Sequence, residues 1–153
     1  MPVLETSDAS KPGPGSQDPG NGRACNRGRM LLCDDEESIR LLFEMILTED
    51  LPDVDIDLAG NGREALEMFS QRHHAVLLMD LHMPVMDGQA AFDAVRELCK
   101  TRRWEMPAFV FCTGFAPPDT VVKAVEADES PHCLLSKPVC GERLVDTVRT
   151  RLT

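Results

Sequence analysis

Long hydrophobic runs, paired cysteines and an excess of basic charge are all missing from this 153-residue chain. No apolar stretch approaches the roughly 20 residues that a bilayer-spanning helix needs, and the Pro- and Gly-rich start lacks the apolar centre of a signal peptide. A cytoplasmic address with no membrane partner is the expectation. The six cysteines, Cys25, Cys33, Cys99, Cys112, Cys133 and Cys140, include no C-x-x-C pair, which argues against a structural zinc site or a dithiol redox centre. Cys33, Cys112 and Cys133 lie in apolar runs, where a reduced thiol acts as a small buried hydrophobe. A net charge of -10 argues against a nucleic-acid-binding surface. Part of that charge reads as a cluster of acids awaiting a cation.

What remains is ordinary for a soluble globular protein: 42% hydrophobic and 27% charged residues, at a length suited to one domain. Residues 1–28 are rich in Pro and Gly and poor in large apolar groups, so they read as a disordered tail or linker, with the folded domain at 29–153. From Arg29 onward, apolar runs alternate with helical periodicities. Met30-Leu31-Leu32-Cys33 is a strand ending at Asp34-Asp35. Ile39, Leu42, Phe43 and Ile46 form the stripe of a helix over about 37–50. Val54, Ile56 and Leu58 alternate with Asp55 and Asp57, as in a strand near a sheet edge. Asn61 with Glu64 reads as a capping box opening a helix with Ala65, Leu66 and Phe69 inside.

Ala75 to Met79 is an unbroken apolar run that ends in Asp80, the pattern of a central strand buried on both faces. Pro84 and Gly88 then turn the chain, and Asp87 reads as the N-cap of the next helix. Met106 to Cys112 is a strand ending at Thr113-Gly114. Pro117-Pro118-Asp119 opens a helix, His132 to Ser136 is a last strand ending at Lys137-Pro138, and residues 141–152 close the chain as a helix. Five strands alternating with five helices predict an α/β fold: a doubly wound five-stranded parallel sheet with helices on both faces. His73, His74 and His132 lack partners at metal-ligand spacing and are expected at the surface or an edge. Met79, Met83 and Met86 are expected to pack. Val121, Val122, Val125 and Leu134 fit either a core or an exposed partner-binding face.

In such a sheet every strand ends at one edge. Asp34, Asp35, Asp80, Thr113 and Lys137 each follow an apolar strand, so they converge. Crowded carboxylates repel one another, and hard oxygen donors suit Mg²⁺, which takes one or two carboxylates directly. Lys137 supplies a compact counter-charge, and Thr113 offers a hydroxyl to an oxyanion. Three acids, a hydroxyl and a lysine describe a phosphoryl-transfer site in which Asp80 can act as nucleophile and form an acyl phosphate.

Asp34-Asp35, Met79-Asp80-Leu81-His82-Met83-Pro84-Val85-Met86-Asp87-Gly88, Thr113-Gly114 and Lys137-Pro138 together resemble the receiver domain of two-component response regulators, over about 29–152. The resemblance implies a flavodoxin-like receiver fold in which Asp80 accepts a phosphoryl group from a histidine kinase or a histidine phosphotransfer protein. It implies that Asp34, Asp35 and Asp80 hold Mg²⁺ with the backbone carbonyl of His82. Lys137 would pair with the phosphoryl group, Thr113 would swing in to bond it, and the surface of the fourth helix, fifth strand and fifth helix would shift toward a downstream effector protein. A phosphorylation-dependent dimer belongs to the same expectation, as does a cis Lys137–Pro138 bond.

Two features depart from or qualify the pattern. The family often carries a Tyr or Phe three residues before the lysine; here that place is Leu134, and the chain has no tyrosine. His82, two residues past the acceptor, stands where the family tunes phosphoryl lifetime, while a small Gly114 keeps a path to Asp80 open. With no effector domain after Leu152, the expected form is a stand-alone regulator or the receiver part of a hybrid kinase. The rival readings are a receiver-like module that binds partners without phosphorylation, and a Mg²⁺-dependent aspartyl-phosphate phosphohydrolase. The second would want an acid where His82 stands.

Overall fold

The computed structural model describes residues 22–153, so most of the expected tail lies outside the described residues. Ten elements alternate: β1 (Asn26–Cys33), α1 (Glu37–Asp50), β2 (Asp55–Ala59), α2 (Gly62–Arg72), β3 (His74–Asp80), α3 (Gly88–Arg102), β4 (Ala108–Thr113), α4 (Asp119–Glu126), β5 (Cys133–Ser136) and α5 (Gly141–Leu152). All strand pairings are parallel, in the order β2-β1-β3-β4-β5. This is the expected doubly wound α/β architecture, with β2 at an edge. The order reverses between β1 and β3, which opens a crevice above their carboxyl ends.

Period-two alternation divides the core. Leu31, Leu77, Met79, Phe109 and Phe111 face α2, α3 and α4, where Ala65, Phe69, Phe92, Val95 and Val121 meet them. Met30, Leu32, Val76, Leu78 and Val110 face α1 and α5, against Phe43, Leu47, Leu144 and Val148. Each such side chain, fully withdrawn from water, stabilises the fold by roughly 1.5–3 kcal/mol before entropy is counted. Met79 and Met83 pack, as expected; Val121 is buried, while Val122, Val125 and Leu134 are half-buried.

Helix caps follow the local chemistry. Asn61 Oδ1 accepts from the Glu64 amide, and Asp87 Oδ1 accepts from that of Ala90. Glu64 reaches back to the Gly60 amide, one residue earlier than a standard capping box. On α1 the inward stripe is Ile39, Phe43, Ile46 and Leu47. Leu42 is exposed, along with Leu41 and Met45, because α5 packs against the neighbouring edge of the helix.

Three expectations change at the strand-start end of the sheet. β1 begins at Asn26 rather than Arg29, and the residues before it form a clasp. The Arg23 guanidinium lies 3.7 Å from the Trp104 ring centroid, donates from Nε to His73 Nδ1 at 3.0 Å and from Nη2 to the Ser70 carbonyl. Because His73 Nδ1 accepts, its Nε2 carries the proton and donates to the Glu105 carbonyl at 2.8 Å. Burial holds the His73 pKa down at about 4. His73 and His74 are therefore interior, not surface, groups. His74 Nε2 donates to Asp57, which also takes Arg29 and Arg72, so the polar residue of an edge strand closes a four-membered charge network. His132 is half-buried, its Nδ1 accepting from the Phe109 amide. Of the cysteines expected inside, Cys33 and Cys112 are buried and Cys133 is half-buried, while Cys25 and Cys99 are buried as well.

Candidate functional site

At the opposite end of the sheet, parallel strands deliver the five predicted side chains to one crevice. Asp34 and Asp35 leave β1, Asp80 ends β3, Thr113 ends β4, and Lys137 follows β5. One carboxylate oxygen from each of Asp34, Asp35 and Asp80 lies within 4.8 Å of the others. Asp34 and Asp80 are 2% and 7% exposed, whereas Asp35 faces solvent. Lys137 Nζ lies 3.0 Å from Asp34 Oδ2 and 3.5 Å from Asp80 Oδ2, straddling the two buried acids.

The other oxygen of each buried acid is held locally. Asp34 Oδ1 accepts from the Glu36 amide at 2.9 Å, and Asp80 Oδ1 accepts from the His82 amide at 3.1 Å. Arg40, from the first turn of α1, donates to the Asp34 carbonyl at 2.7 Å and braces the β1–α1 junction. Thr113 Oγ1 is turned to the following loop, donating to the Phe115 carbonyl at 3.2 Å and accepting from the Phe115 amide at 3.1 Å. Lys137–Pro138 is cis, and the Lys137 amide donates to the Thr113 carbonyl, joining the ends of β4 and β5.

Two glycines let the β3–α3 loop sit this close. A Cβ on Gly88 would lie 2.5 Å from the Asp80 carbonyl oxygen, and one on Gly62 would overlap the Met86 carbonyl. Between them Val85 adopts φ +71°, a left-handed conformation that a β-branched residue rarely takes, and its side chain is 75% exposed.

Electrostatics follow from the crowding. Burial raises the Asp80 pKa above the usual carboxylate range, and the Asp34 charge adds to the rise. The His82 amide and Lys137 oppose it. Burial alone would lower the Lys137 pKa, but the hydrogen bond to Asp34 and the charges of Asp34 and Asp80 hold it above its ordinary value. The ammonium is thus held in its charged form between the two buried acids. The crevice, of about 360 Å³, is lined by Asp35, Glu36, Asp80, His82, Gly114, Phe115 and Lys137. Clefts of similar size, about 390 and 410 Å³, occur elsewhere, so chemistry rather than volume singles this one out. A Cβ on Gly114 would meet nothing within 4 Å, leaving the approach over Asp80 open.

Two neighbours of the site escaped sequence reasoning. Arg40 looks in sequence like a solvent-side helical residue. Phe115 is 73% exposed, with its ring edge-on to that of His82 at 5.0 Å between centroids. An aromatic two residues past the strand-end threonine is the only local signal that could have marked it.

The response regulator receiver domain family matches residues 30–149. The chemotaxis protein CheY of Halobacterium salinarum is 30% identical over 125 residues, covering 82% of this chain and 97% of that protein. The regulatory protein LuxO of Vibrio cholerae is 31% identical over 121 residues; the match covers 79% of this chain but only a quarter (25%) of that longer protein. Among solved structures, the signal receiver domain of a signal transduction histidine kinase from Syntrophus aciditrophicus superposes with a TM-score of 0.65 at 26% identity, covering 82% of this chain and 89% of that one. No helix among the described residues is long and apolar enough to cross a membrane. An acid cluster at the carboxyl end of a parallel sheet, a lysine bridging it and a family match across most of the chain lead to one conclusion: this protein belongs to the response regulator receiver domains of two-component signal transduction.

Proposed function

We propose that Asp80 of this receiver domain is the phosphoacceptor, taking a phosphoryl group from a phosphohistidine of a histidine kinase or histidine phosphotransfer protein. The observation that carries the reading is Lys137 Nζ set between Asp34 and Asp80, within a cluster of three carboxylates spanning 4.8 Å. An Asp80 oxygen attacks phosphorus, the P–N bond to the donor imidazole breaks as the P–O bond forms, and the imidazole keeps the electron pair and takes a proton. Lys137, held cationic by its acid neighbours, meets the charge that develops on the phosphoryl oxygens. The Thr113 hydroxyl, now on Phe115, is the donor nearest in sequence to the open Gly114 approach and bonds the transferred group.

Asp34, Asp35 and Asp80 fit a hard divalent cation: all three are oxygen donors, two are buried, and one lysine does not balance three negative charges. They would hold Mg²⁺ with the His82 carbonyl, and the bound ion supplies neutralisation of phosphoryl charge. Leu41, Leu42 and Met45 stand exposed on α1, which starts beside this cluster, and offer a donor protein an apolar contact. The receiver domain, read as residues 29–153, serves as a stand-alone regulator or as the receiver part of a hybrid kinase acting on an effector protein. It works in the cytoplasm.

Intact-mass spectrometry after incubation with Mg²⁺ and acetyl phosphate tests this reading. A hydroxylamine-labile adduct of about 80 Da, absent from Asp80→Asn, is the expected result for an aspartyl phosphate. Absence of any adduct from wild type while Mg²⁺ still binds would refute acceptance from a small donor and leave acceptance from a kinase alone. Absence of both would leave a module that binds partners without phosphorylation.

A further inference from the structure

A threonine hydroxyl has one hydrogen to donate, and Thr113 gives it to the Phe115 carbonyl while accepting from the Phe115 amide. Both bonds therefore depend on the Thr113 hydroxyl keeping its present direction. The Phe115 ring is largely in solvent, and its packed edge rests on His82, whose amide is bonded to Asp80 Oδ1. Phe115 is thus bonded directly to Thr113 and tied through His82 to Asp80, the two groups that meet an incoming phosphoryl group. On β5, the place next to Thr113's strand is taken by Leu134, an aliphatic side chain packed against the α2–α4 side of the core.

We propose that Phe115 is the aromatic element of this chain's switch: when a phosphoryl oxygen on Asp80 takes the Thr113 hydroxyl hydrogen, both Thr113–Phe115 bonds break and the Phe115 ring leaves His82. The inference rests on Asp80 as phosphoacceptor. The competition favours the phosphoryl oxygen, because a hydrogen bond to an ionised acceptor is roughly twice as strong as one to a neutral carbonyl. The released Phe115 carbonyl and amide lie in an exposed loop where water replaces the lost partner, so the net loss there is small. Gly114, with open space around it, is the hinge. The movement needs no vacancy inside the core, in contrast to a ring that must turn inward beside β4. The aromatic residue missing from β5 is in this way replaced by one in the β4–α4 loop that is bonded to the threonine itself.

Phe115→Trp reads the movement directly, since an indole replaces an exposed ring and the buried Trp104 gives a constant background. Fluorescence and intact mass are recorded on the same sample during incubation with Mg²⁺ and acetyl phosphate. The expected result is an emission change that rises with the adduct fraction, is lost per adduct formed when Thr113→Val is added, and persists with Thr113→Ser. On the unsubstituted chain, exchange of the Phe115 amide should accelerate up to about tenfold on phosphorylation, matching loss of one modest hydrogen bond. Adduct with unchanged emission and unchanged exchange, or an equal emission change in the Thr113→Val background, overturns the inference and leaves Asp80 as acceptor. Absence of adduct with acetyl phosphate and with a phosphohistidine donor protein alike removes both readings.

Discussion

Replacing Asp80 with asparagine should stabilise the chain in metal-free buffer, although it removes the residue on which the chemistry depends. The Asp80 carboxylate lies within 4.8 Å of those of Asp34 and Asp35. At an effective dielectric of about 20, each such pair repels by roughly 3–4 kcal/mol, while Lys137 at its longer bridging distance returns roughly 4–5 kcal/mol. Asp35 faces solvent, so much of its share is screened. Repulsion and attraction nearly cancel, and the cost of keeping a carboxylate out of water decides the sign, in keeping with the raised pKa of Asp80. Asparagine keeps the shape and an oxygen for the His82 amide, and it leaves Lys137 to Asp34. A gain of about 1–2 kcal/mol follows, or about 2–8 °C in Tm for a domain of this size.

The assay is thermal denaturation followed by circular dichroism in EDTA. An acid whose folded pKa is raised costs stability as pH climbs from its unfolded value, about 3.9, through the folded one. The gap between variant and wild type should therefore open across that window and stay constant above it. Saturating Mg²⁺ should reverse the order, because a ligand at a hundredfold excess over its Kd adds about 2.7 kcal/mol to the form that binds it. A variant that melts below wild type in EDTA at every pH would show that the Lys137 attraction dominates and that charge crowding does not.

Other perturbations test separate parts of the structure. Val85→Gly should raise the unfolding free energy in urea by about 0.5–1 kcal/mol, since relief of a left-handed β-branched residue exceeds the added unfolded-state freedom; a lower midpoint would mean the loop is unstrained. Gly88→Ala should cost about 2 kcal/mol or more in the same assay, because the new methyl meets β3 backbone that cannot move without displacing Asp80. His82→Ala should change the lifetime of the phosphoryl group, shortening it by about two- to tenfold, within about 1.4 kcal/mol of barrier, as the His82 side chain lining the crevice beside Asp80 no longer hinders water; an unchanged decay rate contradicts this. Asp57→Asn should cost about 1–2 kcal/mol by weakening the bond from buried His74 and the pair with half-exposed Arg72, while Arg29 keeps Asp55. The Asp57 pKa is lowered: burial works against this, but the bonds from His74 and Arg29 outweigh it. Its contribution is therefore present above the ordinary carboxylate pKa and lost as pH falls, so the two chains should converge on acidification.

Much of this arrangement was readable before any coordinates. A strand buried on both faces has no polar side, so Ala75 to Met79 could be little else. Once five strands are parallel, their carboxyl ends must share an edge, and the site residues follow from topology rather than from local signals. The misreadings have a different origin. Leu42 and Phe43 both satisfy helical spacing with Ile39 and Ile46, and only the position of α5 decides which is covered. His73 is interior because Arg23, fifty positions away, stacks on Trp104 and bonds its ring. No window of neighbouring residues contains that information. Phe115 looks like any loop aromatic until the Thr113 hydroxyl is seen pointing at its backbone.

The Arg23–His73–Trp104 clasp and the acid crevice occupy opposite ends of β3, separated by six residue steps of about 3.3 Å, or about 20 Å. At that distance, with no shared partner, their energetics should be additive. Loosening or tightening the clasp changes how long the domain stays folded without changing how Asp80 reacts. Selection or engineering can thus set the abundance of this protein at one pole and its chemistry at the other, each as an independent variable.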